Sequence, residues 1–314
     1  MPPRTLRLTL VALAALLAWG SGSPPLSAQA PTQARQAPAR PGRAGFVWKV
    51  ERQGRVGWLV GSLHLLPPDA YPLPAVMTDA FAASDTLMEE ADLESLTSPE
   101  FMAAVLPRAM FLDGRTLQAA ISPATFAAVA ARARRAGLPV EALQSMKPWM
   151  VAMTLEALEL QTGGFDANLG LDKHFYDEAK MRRLRFEPLE TGLEQIDTLD
   201  GLSPADQEAM LREGLDASGA GAGSGTSAGE LARLTAAWKA GDARGLEAIV
   251  LDGTRSAPGL YDRVIVARNQ RWLPTVSTCL DTRRCFVVVG AAHLVGPDGL
   301  VTSLRARGYT VTQQ

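Results

Sequence analysis

Two of this chain's three histidines sit in the same four-residue frame, and that pairing limits what the chain can fold into. Gly61-Ser62-Leu63-His64 and Gly290-Ala291-Ala292-His293 are both Gly-x-x-His. Each follows an apolar, β-branched run that reads as a buried strand, Val56-Gly57-Trp58-Leu59-Val60 before the first and Cys285-Phe286-Val287-Val288-Val289 before the second. With 28 Gly in 314 residues, a glycine three places before a given histidine is an accident about 9% of the time. Two such hits among three histidines make a roughly 2% accident, low for so short a motif. In open α/β sheets ligands bind beyond the carboxyl ends of the strands. A glycine at such a strand end lets the backbone turn sharply or approach a ligand closely. Because the two frames lie far apart in the chain, they can meet only if both terminal regions share one sheet.

The rest of the chain agrees with that demand. Residues 46–52 and 55–61 flank Gln53-Gly54 and predict a β-hairpin whose second strand delivers His64. Helical spacing over 73–83 is followed by strand character over 86–93, which ends in Glu89-Glu90-Ala91-Asp92. Helices are expected over 123–137, 148–160, 172–182 and 204–215, opened by Ser122-Pro123 and Ser203-Pro204 among others. A short strand is expected at 184–189, further helices at 230–239 and 243–251, and a long one over 260–276. The chain closes with the second histidine strand, a helix over 298–307 and a last strand over 309–312. The expected fold is α/β: a mixed central β-sheet formed by strands from the N- and C-terminal regions, helices on its faces, and a largely helical middle. Residues 217–229 are almost only Gly, Ala, Ser and Thr, and predict a flexible loop.

Residues 1–30 read as a secretory signal peptide: two arginines, an apolar run over 8–19 too short to span a membrane, and Ala28-Gln29-Ala30 as a cleavage pattern. Cleavage after Ala28 is the alternative, because Pro31 disfavours a peptidase. Residues 31–44, rich in Pro, Ala, Gln and Arg, predict a disordered spacer, which leaves 45–314 as one domain. The mature chain is expected in the periplasm or secreted, with no integral membrane segment. The first 44 residues hold five of the 31 basic residues and none of the 33 acids, so the body carries 26 basic and 33 acidic residues, a net charge of −7. That balance argues against nucleic acid as a partner, whose binding rests on neutralising phosphates. Cys279 and Cys285 are the only cysteines, and in an oxidising compartment they predict one disulfide closing a small loop, with two free thiols as the alternative.

His64, His293 and Glu90 form the natural chemical trio. Two imidazoles and a carboxylate suit a divalent ion of the Mn, Co, Zn or Fe type, with positions left open for water and substrate. Such an ion lowers the pKa of bound water and polarises a carbonyl. The structural alternative is that each histidine caps its strand or bonds within the core. Strand alternation places Glu90 and Asp92 on one face and Glu89 on the other. Arg268, in the long helix before the second histidine strand, could stabilise an oxyanion or clamp a carboxylate, with surface ion pairing as its alternative. His174 lacks the glycine frame and reads as structural or exposed. Met146, Trp149, Met150 and Met153 fall at helical spacing and read as core.

These residues together resemble the TraB/GumN family, which includes the Tiki metalloproteases. The resemblance runs through Gly61-Ser62-Leu63-His64-Leu65-Leu66-Pro67 and Glu90-Ala91-Asp92, then Lys147-Pro148-Trp149, Gly170-Leu171-Asp172, Leu189-Glu190-Thr191 and Gln195. It closes with Arg268-Asn269, Gly290-Ala291-Ala292-His293-Leu294, Gly296-Pro297-Asp298-Gly299-Leu300 and Gly308-Tyr309. It implies a mixed α/β fold, divalent-metal-dependent peptidase activity as in the Tiki members, and an active site on His64, His293 and Glu90. The expectation is therefore an exported metal-dependent hydrolase acting on a peptide or small-molecule amide, with Arg268 stabilising developing negative charge. Two rivals stand beside it. One is a metal-independent, esterase-like hydrolase in which a histidine and Glu90 activate water. The other is a non-enzymatic protein that sequesters a peptide signal or haem.

Overall fold

The computed structural model describes residues 45–162, 164–216, 227–254 and 258–314. The signal peptide and spacer assigned to 1–44 lie outside these, as does 217–226 of the Gly/Ala/Ser/Thr stretch. Residues 227–229 of that stretch are not loop but the first turn of the helix Ser227–Ala240.

Six strands form one mixed sheet: β1 (Val47–Arg52), β2 (Arg55–Ser62), β3 (Thr86–Glu89), β4 (Arg185–Pro188), β5 (Cys285–Gly290) and β6 (Thr310–Gln313), in the order β4-β3-β5-β2-β1-β6. β1 and β2 make the expected hairpin, turning at Gln53 and Gly54, both with positive φ. Such a two-residue turn matches the twist of the strands it joins. The four strands β4, β3, β5 and β2 are mutually parallel, and β1 runs antiparallel to both β2 and β6. β2 and β5, the two histidine strands, are direct neighbours, with Ser62 opposite Gly290. Every residue of β5 is buried, as a parallel strand covered on both faces must be.

Two apolar cores flank the site. One packs the sheet against its helices through Phe46, Leu59, Phe81, Phe175, Trp272 and Phe286. The other lies among the central helices and includes Val129, Trp149, Val151 and Met210. Ala292, in the second histidine loop, packs against both. The Cys279 and Cys285 sulfurs are at bonding distance with their Cα atoms 6.1 Å apart, joining the helix Ala267–Thr282 to the start of β5.

Two expectations need correction. Strand β3 ends at Glu89, so alternation does not carry on to Asp92, whose carboxylate instead accepts from the Glu94 N–H and the Tyr176 hydroxyl. The long helix expected over 260–276 is present without a break over 258–282, but its middle, Asp262–Val266, is a π-helical turn between the α-helical Pro258–Tyr261 and Ala267–Thr282. Among the described residues no helix is long and apolar enough to cross a membrane.

Candidate functional site

The carboxyl ends of β2, β5 and β3 lie side by side, and the predicted trio meets over them. The meeting point is Gly290. A Cβ added there would stand 3.2 Å from Glu90 Oε1, 3.6 Å from His293 Cδ2 and 3.9 Å from His64 Nε2. Only a residue without a side chain leaves that space open. The Gly290 N–H also donates to Glu90 Oε1 at 2.7 Å, and His293 Nε2 lies 3.9 Å from the same oxygen. Arg268 completes the group: its Nη2 donates to Glu90 Oε2 at 2.6 Å and its Nη1 to His293 Nε2 at 3.1 Å. His174 stands elsewhere, half-buried beside the Tyr71 ring.

Each side chain is aimed by a partner behind it. His64 Nδ1 donates to Asp172 Oδ1 at 2.8 Å, and the Leu171 N–H donates to the Leu63 carbonyl, so the helix Leu171–Arg182 is stitched to the first histidine loop. His293 Nδ1 donates to Asn269 Oδ1 at 2.8 Å, while Asn269 Nδ2 donates to the carbonyls of His293 and Asp298. Those two carbonyls fix the amide's orientation, so the proton of His293 is on Nδ1 and Nε2 offers a lone pair. Arg268 Nε donates to Glu190 Oε1 at 2.8 Å, and Glu190 also accepts from Arg271 and the Trp272 indole. The Glu190 N–H in turn donates to the Glu90 carbonyl, tying the end of β4 to the end of β3. The π turn places the Val264 carbonyl within reach of Arg268 Nη1 at 3.3 Å. Arg268 is only 2% exposed, so its ion pairs lie in the interior and not on the surface.

Burial alone would discharge every ionisable group here, and the partners decide which ones keep a charge. Burial pushes Glu90 toward its neutral form, but the Arg268 charge, with the His64 charge and the Gly290 N–H behind it, holds its carboxyl well below the usual range. At His64 burial again opposes charge, yet Asp172 outweighs it and lifts the pKa to about 9, so the ring is protonated at neutral pH. Burial and then the Arg268 charge lower His293 to about 3, leaving it neutral. The two frames thus present imidazoles in opposite charge states. Glu89, which pairs with Val288 and so leaves the sheet on the same face as Gly290, is pushed well above the carboxylate range by burial and by Asp172.

The donor chemistry fits a divalent ion. Both Nδ1 atoms are taken by oxygen acceptors, the arrangement that orients metal-binding imidazoles. Glu90 is ionised and His293 neutral, and His64 would release its proton on binding. Arg268 is the competitor, because its Nη1 points at the His293 lone pair. Among the described residues no three His, Cys, Asp or Glu side chains are spaced to hold an ion without movement. An ion on the His293 lone pair would displace the Arg268 Nη1 bond, and Glu190 would still hold the guanidinium.

Beside the trio opens a cleft with about 480 Å³ of empty space, counting the part open to solvent. Ser62, His64, Arg268, Gly290 and His293 line it together with aliphatic side chains from three helical segments. Asp172, Asn269, Glu190 and Gln195, whose amide donates to Glu90 Oε2 at 3.4 Å, belong to the site although the sequence expectation assigns them no role. The sequence shows them only as parts of motifs.

Fold and site together define an α/β protein with a buried His–Glu–Arg centre at the carboxyl edge of a mixed sheet. The sequence model of the TraB/PrgY/gumN family matches residues 46–313, and the chain belongs to that family. It is similar to the uncharacterized protein YbaP of Escherichia coli (strain K12), 28% identical over 247 residues that cover 79% of this chain and 87% of that one. The YbaP protein of Shigella flexneri matches to the same extent. No solved structure matches the chain.

Proposed function

We propose that this protein is an exported, metal-dependent hydrolase of peptide or amide bonds. The observation that supports this reading is the meeting of His64, His293 and Glu90 at the missing side chain of Gly290, beside an open cleft. His64 Nε2, His293 Nε2 and Glu90 would hold the ion. A bound divalent ion supplies an activated water and polarises the scissile carbonyl. Asp172 and Asn269 keep the two rings turned inward. Arg268, held by Glu190, keeps a positive charge beside the reacting centre, where charge that develops in the transition state is worth most. The disulfide suits an extracytoplasmic compartment.

One observation favours a second reading. Arg268 Nη1 occupies the His293 lone pair, which suits a metal-independent, esterase-like hydrolase in which Glu90 and His64 act on water directly. Metal analysis of tag-free mature protein separates the two. The metal-dependent reading expects a stoichiometric ion that is lost in His64→Ala and in His293→Ala. It also expects peptide hydrolysis that stops on chelation and returns with Mn or Co. Undiminished hydrolysis by exhaustively chelated protein decides for the second reading, and the absence of any peptide, amide or ester hydrolysis removes both. Arg268→Lys is the appropriate test of the arginine, since Arg268→Ala strands two buried carboxylates at a cost of about 3–5 kcal/mol.

A further inference from the structure

Ser62 is 1% exposed, yet its hydroxyl has no hydrogen-bond partner. It ends β2 directly opposite Gly290 in a parallel pair, so its side chain leaves the sheet on the face where Gly290 leaves room for the trio. It also lines the cleft. A buried hydroxyl without a partner costs free energy, and one kept in a native fold calls for an explanation, a missing ligand among them.

The facing wall is aliphatic. Leu234 comes from the helix Ser227–Ala240, Leu246 and Val250 from the helix Ala243–Thr254, and Val264 and Ile265 from the π turn. None of the five is more than 4% exposed. The cleft has room for about three waters. That is the space a short branched side chain fills, with each carbon replacing roughly one water.

We propose that this cleft is a specificity subsite that receives one branched aliphatic side chain, of valine or leucine size, from a substrate residue beside the bond cleaved. Ser62 Oγ donates its hydrogen bond to the main-chain carbonyl of that residue. The proposal rests on the hydrolase reading for the words "bond cleaved" and on the cleft alone for the binding preference. A polar side chain laid against the aliphatic wall finds no partner there, because the charged groups of the cleft are already paired with Asp172, Glu190 and Glu90.

The test titrates the mature protein, with its metal if it holds one, with the capped tripeptide amides acetyl-Ala-X-Ala-amide, where X is Gly, Leu, Asp or Lys. NMR follows binding, and turnover of the same peptides is measured alongside. Leu should bind at least about tenfold more tightly than Gly, as filling an apolar pocket with several carbons allows. Asp and Lys should bind no better than Gly. Ser62→Ala should weaken the Leu peptide by roughly three- to tenfold, the worth of one hydrogen bond, without lowering the melting temperature. Leu246→Trp should close the subsite, and Val264→Ala, which does not risk overpacking, should move the preference from Leu toward Phe, read with a fifth peptide in which X is Phe. Equal binding of all four peptides overturns the proposal, as does a Ser62→Ala protein that melts lower and binds Leu normally. Peptides cleaved without preference remove the subsite and leave the hydrolase. Peptides bound with preference and never cleaved do the reverse.

Discussion

His64 and His293 share a frame and differ in charge because of what lies behind each ring. Asp172 brings a full negative charge to His64, whereas Asn269 offers His293 only a neutral carbonyl and Arg268 adds a positive charge on its other side. Asp172→Asn keeps an acceptor for Nδ1 and removes the charge. It should lower metal affinity or turnover by about 10- to 100-fold, the usual cost of losing a partner behind a metal-binding imidazole, with an unchanged circular dichroism spectrum. Titration with Mn or Co together with steady-state kinetics reads this out, and wild-type values would reduce Asp172 to a structural acceptor. Both Glu89 oxygens are buried without partners, and burial together with the nearby Asp172 and Glu90 carboxylates raises its pKa well above the usual range. Glu89→Met should raise stability, up to the roughly 1–3 kcal/mol that an unsatisfied buried polar group costs. A lower melting temperature in Glu89→Met would mean that Glu89 bonds to something the fold requires. At this scale the histidines and Glu90 are legible in the sequence through their frame and strand-end position. Asp172 and Glu190 stand there within motifs but without a role, because their partners lie 108 and 78 residues away along the chain, and only the folded topology joins them.

The elements that carry the site are held together by backbone contacts at their ends. Gly170 precedes the helix that bears Asp172, and a Cβ there would meet the His64 carbonyl oxygen at 2.3 Å and its carbon at 2.9 Å. Backbone cannot swing aside as a side chain can. Gly170→Ala should therefore push the first histidine loop away from its helix, costing about 1–3 kcal/mol of stability as overpacking does, and lowering turnover with it. Thermal melts beside kinetics check this, and full activity at wild-type stability would show that the contact relaxes freely. Regular periodicity and capping signals make most elements legible in the sequence, including the hairpin, both histidine strands and the Ser-Pro helix starts. Two helices outside the expected set carry signals of the same kind. Thr191 and Glu194 form a reciprocal capping box that starts the helix Gly192–Asp200, and Ser98-Pro99 opens the helix Pro99–Ala109 as Ser122-Pro123 opens its own. The π turn at Asp262–Val266 has no local signature, because continuous apolar spacing looks the same in α and π geometry.

Across the whole molecule, the sheet is closed by residues from opposite ends of the chain. β2 pairs with β5, β1 with β6, and the Gly45 N–H donates to the Gln314 carbonyl at 3.2 Å, so the two ends of the described fold already touch. The site cannot form until strands more than 200 residues apart have paired, and such distant pairing is slow to nucleate because the loop between them must be closed first. A circular permutant offers the direct test. Residue 314 can be joined to residue 45 by a few glycines and serines, and the chain reopened between Asp113 and Gly114, an exposed turn where Gly114 has positive φ and no atom crowds it. The two histidines would then be separated by about 40 residues plus the linker. By the logarithmic dependence of loop closure on length this removes about 1.5 kcal/mol, roughly tenfold in rate, if the β2–β5 pair forms in the transition state. The β3–β4 pairing becomes more distant in the permutant, while β1–β6 and β3–β5 become more local together with β2–β5, so the gain reports on closing the sheet around the histidine strands. The permutant should reach the native circular dichroism spectrum, retain activity and refold from urea faster than the parent chain, as stopped-flow fluorescence of the buried tryptophans reports. A permutant that is active but refolds no faster would show that β2 and β5 join after the rate-limiting step, and that the helical core folds first.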